Sequence, residues 1–203
     1  MKKFIATSIA LLCMLGCSST PPVKKEKPQP KPPEVITGRS AFQKLYIAAR
    51  GWAPDAQPFR LESQFSSDSP GHDGKADVWG AWFGSAARAK AKPYQWSGIT
   101  TADSSPGIDP GSEDSFNPNN SSTHPFDVRF IKVDSDAAYE TAQKHGGSKL
   151  LDKKADTPVS YILEWANAEN ELIWHVIYGT NRDNPDLRVA VNASTGEFIR
   201  VEK

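Results

Sequence analysis

The segment LIWHVIYGTNRDNPDLRVAVNASTGEFIRV, residues 172–201, decides the fold of this chain. It reads as strand, turn, strand, turn, strand. Val189 and Val191 alternate with other residues before the last turn, and apolar residues return directly after it. Asn192 can hydrogen-bond the backbone two residues further on, and Gly196 takes a positive φ without a steric cost. The segment therefore predicts antiparallel strands that end in a hairpin.

Part of this pattern occurs a second time in the chain. The segment WGAWFGS at 79–85 resembles WHVIYGT at 174–180 in the placement of its aromatic, glycine and hydroxyl residues. A short helical pattern precedes each segment, at 40–51 and at 135–146. Each pattern begins with Ser and ends with Gly, which favour the two ends of a helix. We interpret the two halves as an internal duplication.

Each half has two further runs in which apolar and polar residues alternate. They lie at 59–65 and 94–99 in the first half and at 159–165 and 187–191 in the second. Alternation of apolar and polar residues is typical of half-buried strands in an antiparallel sheet. Each half therefore reads helix, strand, strand, strand. We predict an α+β fold of two similar lobes, each a short helix packed on a curled antiparallel sheet of about three to four strands.

The composition divides the chain into four parts. Residues 1–16 have a basic start and a short apolar run, which is the form of a signal peptide. Residues 17–36 are rich in Pro and Lys and predict an extended tether. Residues 37–125 are the predicted N-terminal lobe with a long irregular loop, and residues 126–203 are the predicted C-terminal lobe.

The residues Met14-Leu-Gly-Cys17 resemble a bacterial lipobox. This resemblance implies cleavage before Cys17, attachment of lipid, including palmitate, to Cys17, and anchoring in a membrane. Ser18 follows Cys17, which predicts that the lipid inserts in the outer membrane and that the folded part lies in the periplasm. An ordinary signal peptide with a chance cysteine is the alternative. Because Cys13 lies in the removed segment, the mature chain can form no internal disulfide.

The C-terminal lobe resembles a PepSY domain. The resemblance rests on residues 133–142, on the strand at 174–178 and on the hairpin at 189–199, with Asn192 where the family usually has Asp. It covers roughly residues 130–201. PepSY domains occur in propeptides of secreted peptidases and in cell-surface proteins, so the resemblance implies an extracytoplasmic module that binds or restrains a peptidase or another protein. It assigns no catalytic residue.

The sequence shows no constellation that is typical of an enzyme, and we predict none. There is no Gly-x-Ser-x-Gly motif and no phosphate loop. Zinc-ligand spacing is absent among the four histidines, which are His72, His124, His145 and His175. Of these, His175 is predicted to be a partly exposed strand residue. We therefore predict no cofactor and no metal. Acidic loops leave calcium open as an alternative; their residues are Asp68, Asp73 and Asp77, and Asp109, Glu113 and Asp114.

We predict a binding surface from the aromatic and basic residues of the N-terminal lobe. Trp79 and Trp174 fall on the predicted core face of their strands, whereas Trp82 falls on the opposite face. Trp82 and Trp96 are candidates to line a groove, because tryptophan is favoured as an anchor in interfaces, and burial in the core is the alternative for them. A basic run beside them is a second candidate, as a docking patch for an acidic partner; its residues are Arg88, Lys90 and Lys92. The alternative is a solvated strand edge whose charges prevent aggregation.

These observations predict a non-catalytic lipoprotein that is anchored in the envelope and binds a protein or a peptide. A peptidase is one such partner. The formal net charge is zero, so nucleic acid is not expected. The alternatives are a lipoprotein that binds a small ligand or a metal and, from another class, a hydrolase with a dispersed active site.

Overall fold

The structure is a computed structural model that describes residues 33–66, 69–100, 105–120 and 123–202. The predicted signal peptide, the predicted lipidation of Cys17 and most of the predicted tether lie outside these residues. The elements in chain order are β1 (Ile36–Thr37), α1 (Gly38–Trp52), β2 (Gln57–Ser63), β3 (Lys75–Ala76), β4 (Val78–Ser85), β5 (Lys90–Ser97), β6 (Gly107–Pro110), β7 (Asp114–Ser115), α2 (Ser135–Ala142), α3 (Ser148–Leu151), β8 (Val159–Ala166), β9 (Glu171–Tyr178), β10 (Leu187–Asn192) and β11 (Phe198–Glu202). A 3₁₀ turn (Val128–Phe130) precedes α2, and a kinked segment (Gln143–Gly147), in which His145 and Gly146 have non-helical backbone angles, joins α2 to α3.

The fold is α+β, as predicted, but its main sheet is continuous. It has nine antiparallel strands, of which eight have the order β11-β10-β9-β8-β2-β4-β5-β6, and the ninth, β7, pairs with β5. A separate two-stranded sheet joins β1 and β3. Strand β2 of the first half pairs with β8 of the second, with Leu61 opposite Leu163. The structure therefore shows neither the two predicted lobes nor their curled sheets, because the two half-sheets satisfy each other's backbone groups at this seam.

The start of α1 differs from the prediction for a physical reason. The helix begins at Gly38, and Ser40, the predicted cap, lies inside its first turn. The backbone N–H groups of Gly38 and Arg39 donate to Ser135 Oγ and Asp134 Oδ1, each at 2.8 Å. These donors normally lack a partner within a helix. Side chains at the start of α2 therefore cap α1, which no local pattern predicts.

The core lies between the helices and one face of the sheet. Trp79 and Trp174 are fully buried there, as predicted, and their rings meet edge to face with centroids 6.4 Å apart. Their indole N–H groups donate to the carbonyls of Ile36 and Val133, both at 3.0 Å. Because Ile36 precedes α1 and Val133 precedes α2, each tryptophan ties one helix start to the sheet.

The C-terminal hairpin confirms the turn prediction. Asn192 Oδ1 accepts hydrogen bonds from the N–H groups of Ser194 and Thr195, and Gly196 has a φ of +79°. The turn joins β10 to β11, and a bulge between Ala190 and Val191 shifts their register. Strand β11 thereby becomes the edge of the main sheet.

The second face of the main sheet is here called the open face. Side chains alternate between the two faces of a strand, so Trp82, Glu164 and His175 lie on the open face, each between residues that face the core. Arg60 lies on the same face, because it is paired with Trp82 and with Glu164. Within the described parts of the chain, no helix is long and apolar enough to cross a membrane.

Candidate functional site

The structure separates the two tryptophans of the predicted groove. Trp82 lies opposite Pro93 on the open face and is half-buried. Trp96 lies opposite Trp79, so its side chain is on the core face, where it is 4% exposed. The two side chains therefore do not line one groove. The reason is the register of β4 and β5, which aligns Trp96 with the core face.

The predicted basic patch lies at the hairpin end of β4 and β5. Arg88 stacks over the Trp52 ring at 5.3 Å and contacts Glu113 at 3.5 Å. Trp52 Nε1 also donates to Glu113 at 2.7 Å, and this hydrogen bond is the main reason that the pKa of Glu113 is lowered. Lys92 lies opposite Phe83 on the core side, with its ammonium 5.7 Å from the Tyr94 ring. Lys90 is exposed.

A cavity of about 280 Å³ lies beside Trp82 on the open face and is here called the Trp82 cavity. Its lining residues are Gln64, Gly80, Trp82, Pro93, Tyr94, Gln95, Asp109, Pro110 and Gly111. The Trp82 ring leans over Gly80, where an added Cβ would lie 3.2 Å from two ring atoms. The WGAW pattern places Gly80 and Trp82 on one face, but the cavity also needs the segment 109–111, which only the tertiary fold brings there.

Charged side chains form an ionic ladder across the rest of the open face. Arg60 of β2 contacts Glu62 at 2.8 Å and Glu164 of β8 at 2.6 Å. Glu164 Oε1 lies 3.6 Å from His175 Nε2 of β9. The ladder therefore connects β2 of the first half to β8 and β9 of the second. No local sequence pattern predicts it, because its members are far apart in the chain.

The same ladder holds the edge strand β11. His175 Nδ1 lies 2.7 Å from Glu202 Oε2, and Arg200 contacts both Glu202 and Glu169 at 2.6 Å. His175 is 8% exposed, so the prediction of a partly exposed strand residue is wrong. The neighbouring strands and these side chains cover it. The polar side chains of β11 are thus engaged on the open face.

Glu202 makes the contribution of this ladder dependent on pH. Burial by itself raises the pKa of Glu202, but the hydrogen bond with His175 and the nearby positive charges outweigh burial and lower it. A carboxyl with a lowered pKa stabilises the fold above its unfolded-state pKa, and this stability is lost as the pH falls through the folded-state pKa.

We expect Glu202→Gln to reduce the loss of unfolding free energy that occurs when the pH falls from about 6 to about 3. Urea unfolding at several pH values measures this, with exposed Glu140→Gln as the control; equal pH profiles for Glu202→Gln and the parent would contradict it.

The other three histidines each contact a different part of the chain. His72 Nε2 contacts the carbonyl of Thr157 at 2.7 Å, His124 Nδ1 contacts Asn167 Oδ1 at 2.8 Å, and the His145 ring stacks on Phe198. Asp73 pairs with Lys75 at 2.9 Å. Asp68 of the predicted calcium loop lies outside the described residues. Within the ranges that the structure describes, no three His, Cys, Asp or Glu residues come together in a way that could hold a metal ion.

Comparison with known proteins shows the fold but no family. No protein-family model matches the chain, and no curated protein matches it either. The chain is similar to a solved structure of a Clostridium difficile 630 protein described as a lipoprotein, with a TM-score of 0.53 and 11% sequence identity. The match covers 80% of this chain and 91% of that one. At this identity the likeness is one of fold, and the PepSY resemblance stays a prediction.

Proposed function

We propose that the protein is a lipid-anchored envelope lipoprotein that binds an extended segment of another protein at the edge strand β11. The lipobox resemblance of residues 14–17 supports the anchor, and the fold likeness to a protein described as a lipoprotein is consistent with it. The PepSY resemblance of residues 130–201 supports a non-catalytic binding role and makes a secreted peptidase the first partner to test.

The open edge of β11 carries this proposal. Within the described residues β11 pairs with β10 and has no strand on its other side. Phe198 is 36% exposed and Val201 is 47% exposed. An uncovered edge strand with apolar side chains can pair with a strand of another chain. Proteins usually prevent such pairing with charges, proline or a short edge strand. The opposite edge of the sheet consists of β6 and β7, which have four and two residues, whereas β11 has five.

The side chains of β11 favour an extended peptide as the occupant. In strand addition, backbone hydrogen bonds provide affinity and alternate side chains provide specificity. Val201 lies opposite Val189, a core residue, and therefore belongs to the helix-covered side. On the open face the ladder holds Arg200 and Glu202. The His145 ring stacks on the Phe198 ring with centroids 3.8 Å apart, and this contact stabilises the start of β11.

Partner capture with matched variants tests this proposal. The bait is residues 17–203 with Cys17→Ser, here called the mature chain, and the source is periplasmic extract. Val201→Glu places a charge on the edge, and Ile47→Glu makes the same kind of change on α1, where Ile47 is 74% exposed. We expect the parent and Ile47→Glu to capture the same protein and Val201→Glu to lose at least about tenfold, or roughly 1.4 kcal/mol of binding.

The captured protein then supplies the decisive measurement. A peptide from it that binds should slow amide hydrogen exchange in β11 of the mature chain, because strand addition protects edge N–H groups. Circular dichroism of Val201→Glu checks that the fold is retained. Equal capture by both Glu variants, or protection that omits β11, would show that the edge is not the binding site.

The lipid anchor has its own test. We expect wild-type protein to incorporate labelled palmitate and sediment with membranes, and Cys17→Ala to do neither, because the thiol that carries lipid is absent. Several acyl chains hold a protein on a membrane far better than one. Ser18 further predicts sedimentation with the outer membrane. Equal labelling of both forms would contradict lipidation, whereas labelled protein in the inner membrane would contradict only the sorting.

A further inference from the structure

We propose that the Trp82 cavity binds one pyranose ring of a glycan. This site is separate from β11, since it lies on the open face of β4 and β5, whereas β11 is the far edge of the sheet. Its volume of about 280 Å³ is at the lower end for ligand pockets and suits a single ring. Trp82 itself takes no part in the core, which lies on the opposite side of its strand.

The indole of Trp82 forms an aromatic platform. Gly80 leaves room for the ring to lean along the sheet, because any side chain there would meet ring atoms at 3.2 Å. The face of an aromatic ring carries partial negative charge. One side of a pyranose presents C–H groups with partial positive charge, so the sugar stacks on such a face while its hydroxyls point sideways.

Polar groups at the rim match the hydroxyls. Gln64 Nε2 donates to Gln95 Oε1 at 2.8 Å. This bond uses one amide group of each side chain, and the pair still presents one amide donor and one carbonyl acceptor, whichever way the amides are turned. The nine lining residues include no Lys or Arg, which favours a neutral ligand over an anionic one.

A proline-rich peptide is the competing occupant, and the geometry favours it less. Such peptides bind grooves that several aromatic side chains line. Here Tyr94 is 5% exposed and packs on Phe83 on the core side, so Trp82 provides the aromatic face of the cavity without a second ring beside it. The cavity wall is also held in place, because the N–H of Gly111 donates to the carbonyl of Pro93 at 2.9 Å.

NMR titration of the mature chain with glucose, galactose, N-acetylglucosamine and chitotriose tests the proposal. We expect at least one sugar to shift the NMR signals of the Trp82 indole N–H and of the side-chain amides of Gln64 and Gln95, with a Kd on the order of 1–10 mM, as for a small ligand with few contacts.

Trp82→Phe should retain binding within about tenfold, and Trp82→Ala should abolish it. Trp52→Ala, which removes another half-buried indole, is the matched control and should bind as the parent does. Free monosaccharide and chitotriose distinguish a lone sugar from a glycan chain, and a glycan should bind at least as tightly.

Three outcomes would overturn the proposal. They are no shift with any sugar up to about 50 mM, equal shifts in the Trp82→Ala variant, and shifts at Trp82 with a proline-rich peptide but not with sugars. The unchanged spectrum of residues remote from the cavity shows that Trp82→Ala is folded. Val201→Glu should leave sugar binding intact, so failure of the edge-strand proposal and failure of this one are distinguishable.

Discussion

Trp174→Ala is expected to lower the free energy of unfolding by about 3–5 kcal/mol, the usual cost of truncating a large buried aromatic side chain. Trp174 is fully buried and lies edge to face against Trp79. Its indole N–H also donates to the carbonyl of Val133, two residues before the start of α2. The substitution therefore leaves a cavity at the centre of the core and releases the start of one helix.

Urea unfolding of the mature chain measures this effect, with Trp82→Ala as the matched control. Trp82 is half-buried on the open face, so we expect its loss to cost less than about 1.5 kcal/mol. Similar losses for the two variants would mean that the centre of the core is not where Trp174 and Trp79 meet.

Gly38→Ala is expected to destabilise the fold by about 1–3 kcal/mol, although alanine is the best helix former. A Cβ at Gly38 would lie 2.6 Å from the ring of Trp174 and 2.9 Å from that of Trp79. Both rings are fully buried and cannot move aside. A shift of α1 to relieve the clash would weaken the hydrogen bond from Gly38 N–H to Ser135 Oγ.

Gly51→Ala is the control within the same helix and should have the opposite sign. A Cβ at Gly51 meets no atom within 4 Å. The substitution should therefore stabilise the fold by about 0.5–1 kcal/mol through helix propensity alone. Differential scanning calorimetry of both variants measures the pair. A Gly38→Ala variant that melts at or above the temperature of the parent would contradict the close approach of α1 to the two tryptophans.

Local chemistry explains which parts of the fold could be predicted. The C-terminal hairpin was predictable because Asn192 and Gly196 act on backbone groups a few residues away. The core positions of Trp79 and Trp174 were predictable because alternation along one strand decides the face of each side chain. These properties depend on neighbours in sequence, and the α+β class followed from them.

The tertiary structure alone decided how these parts combine. The start of α1 at Gly38 depends on Asp134 and Ser135, and the face of Trp96 depends on the register between two strands. The continuous sheet, the ionic ladder and the Trp82 cavity likewise join segments that are distant in the chain. Sequence therefore determined the elements and their buried faces, since short-range hydrogen bonds and alternation encode them. The pairing of β2 with β8 between the two halves could not be predicted from the sequence, because an exposed strand edge presents the same backbone groups to any strand.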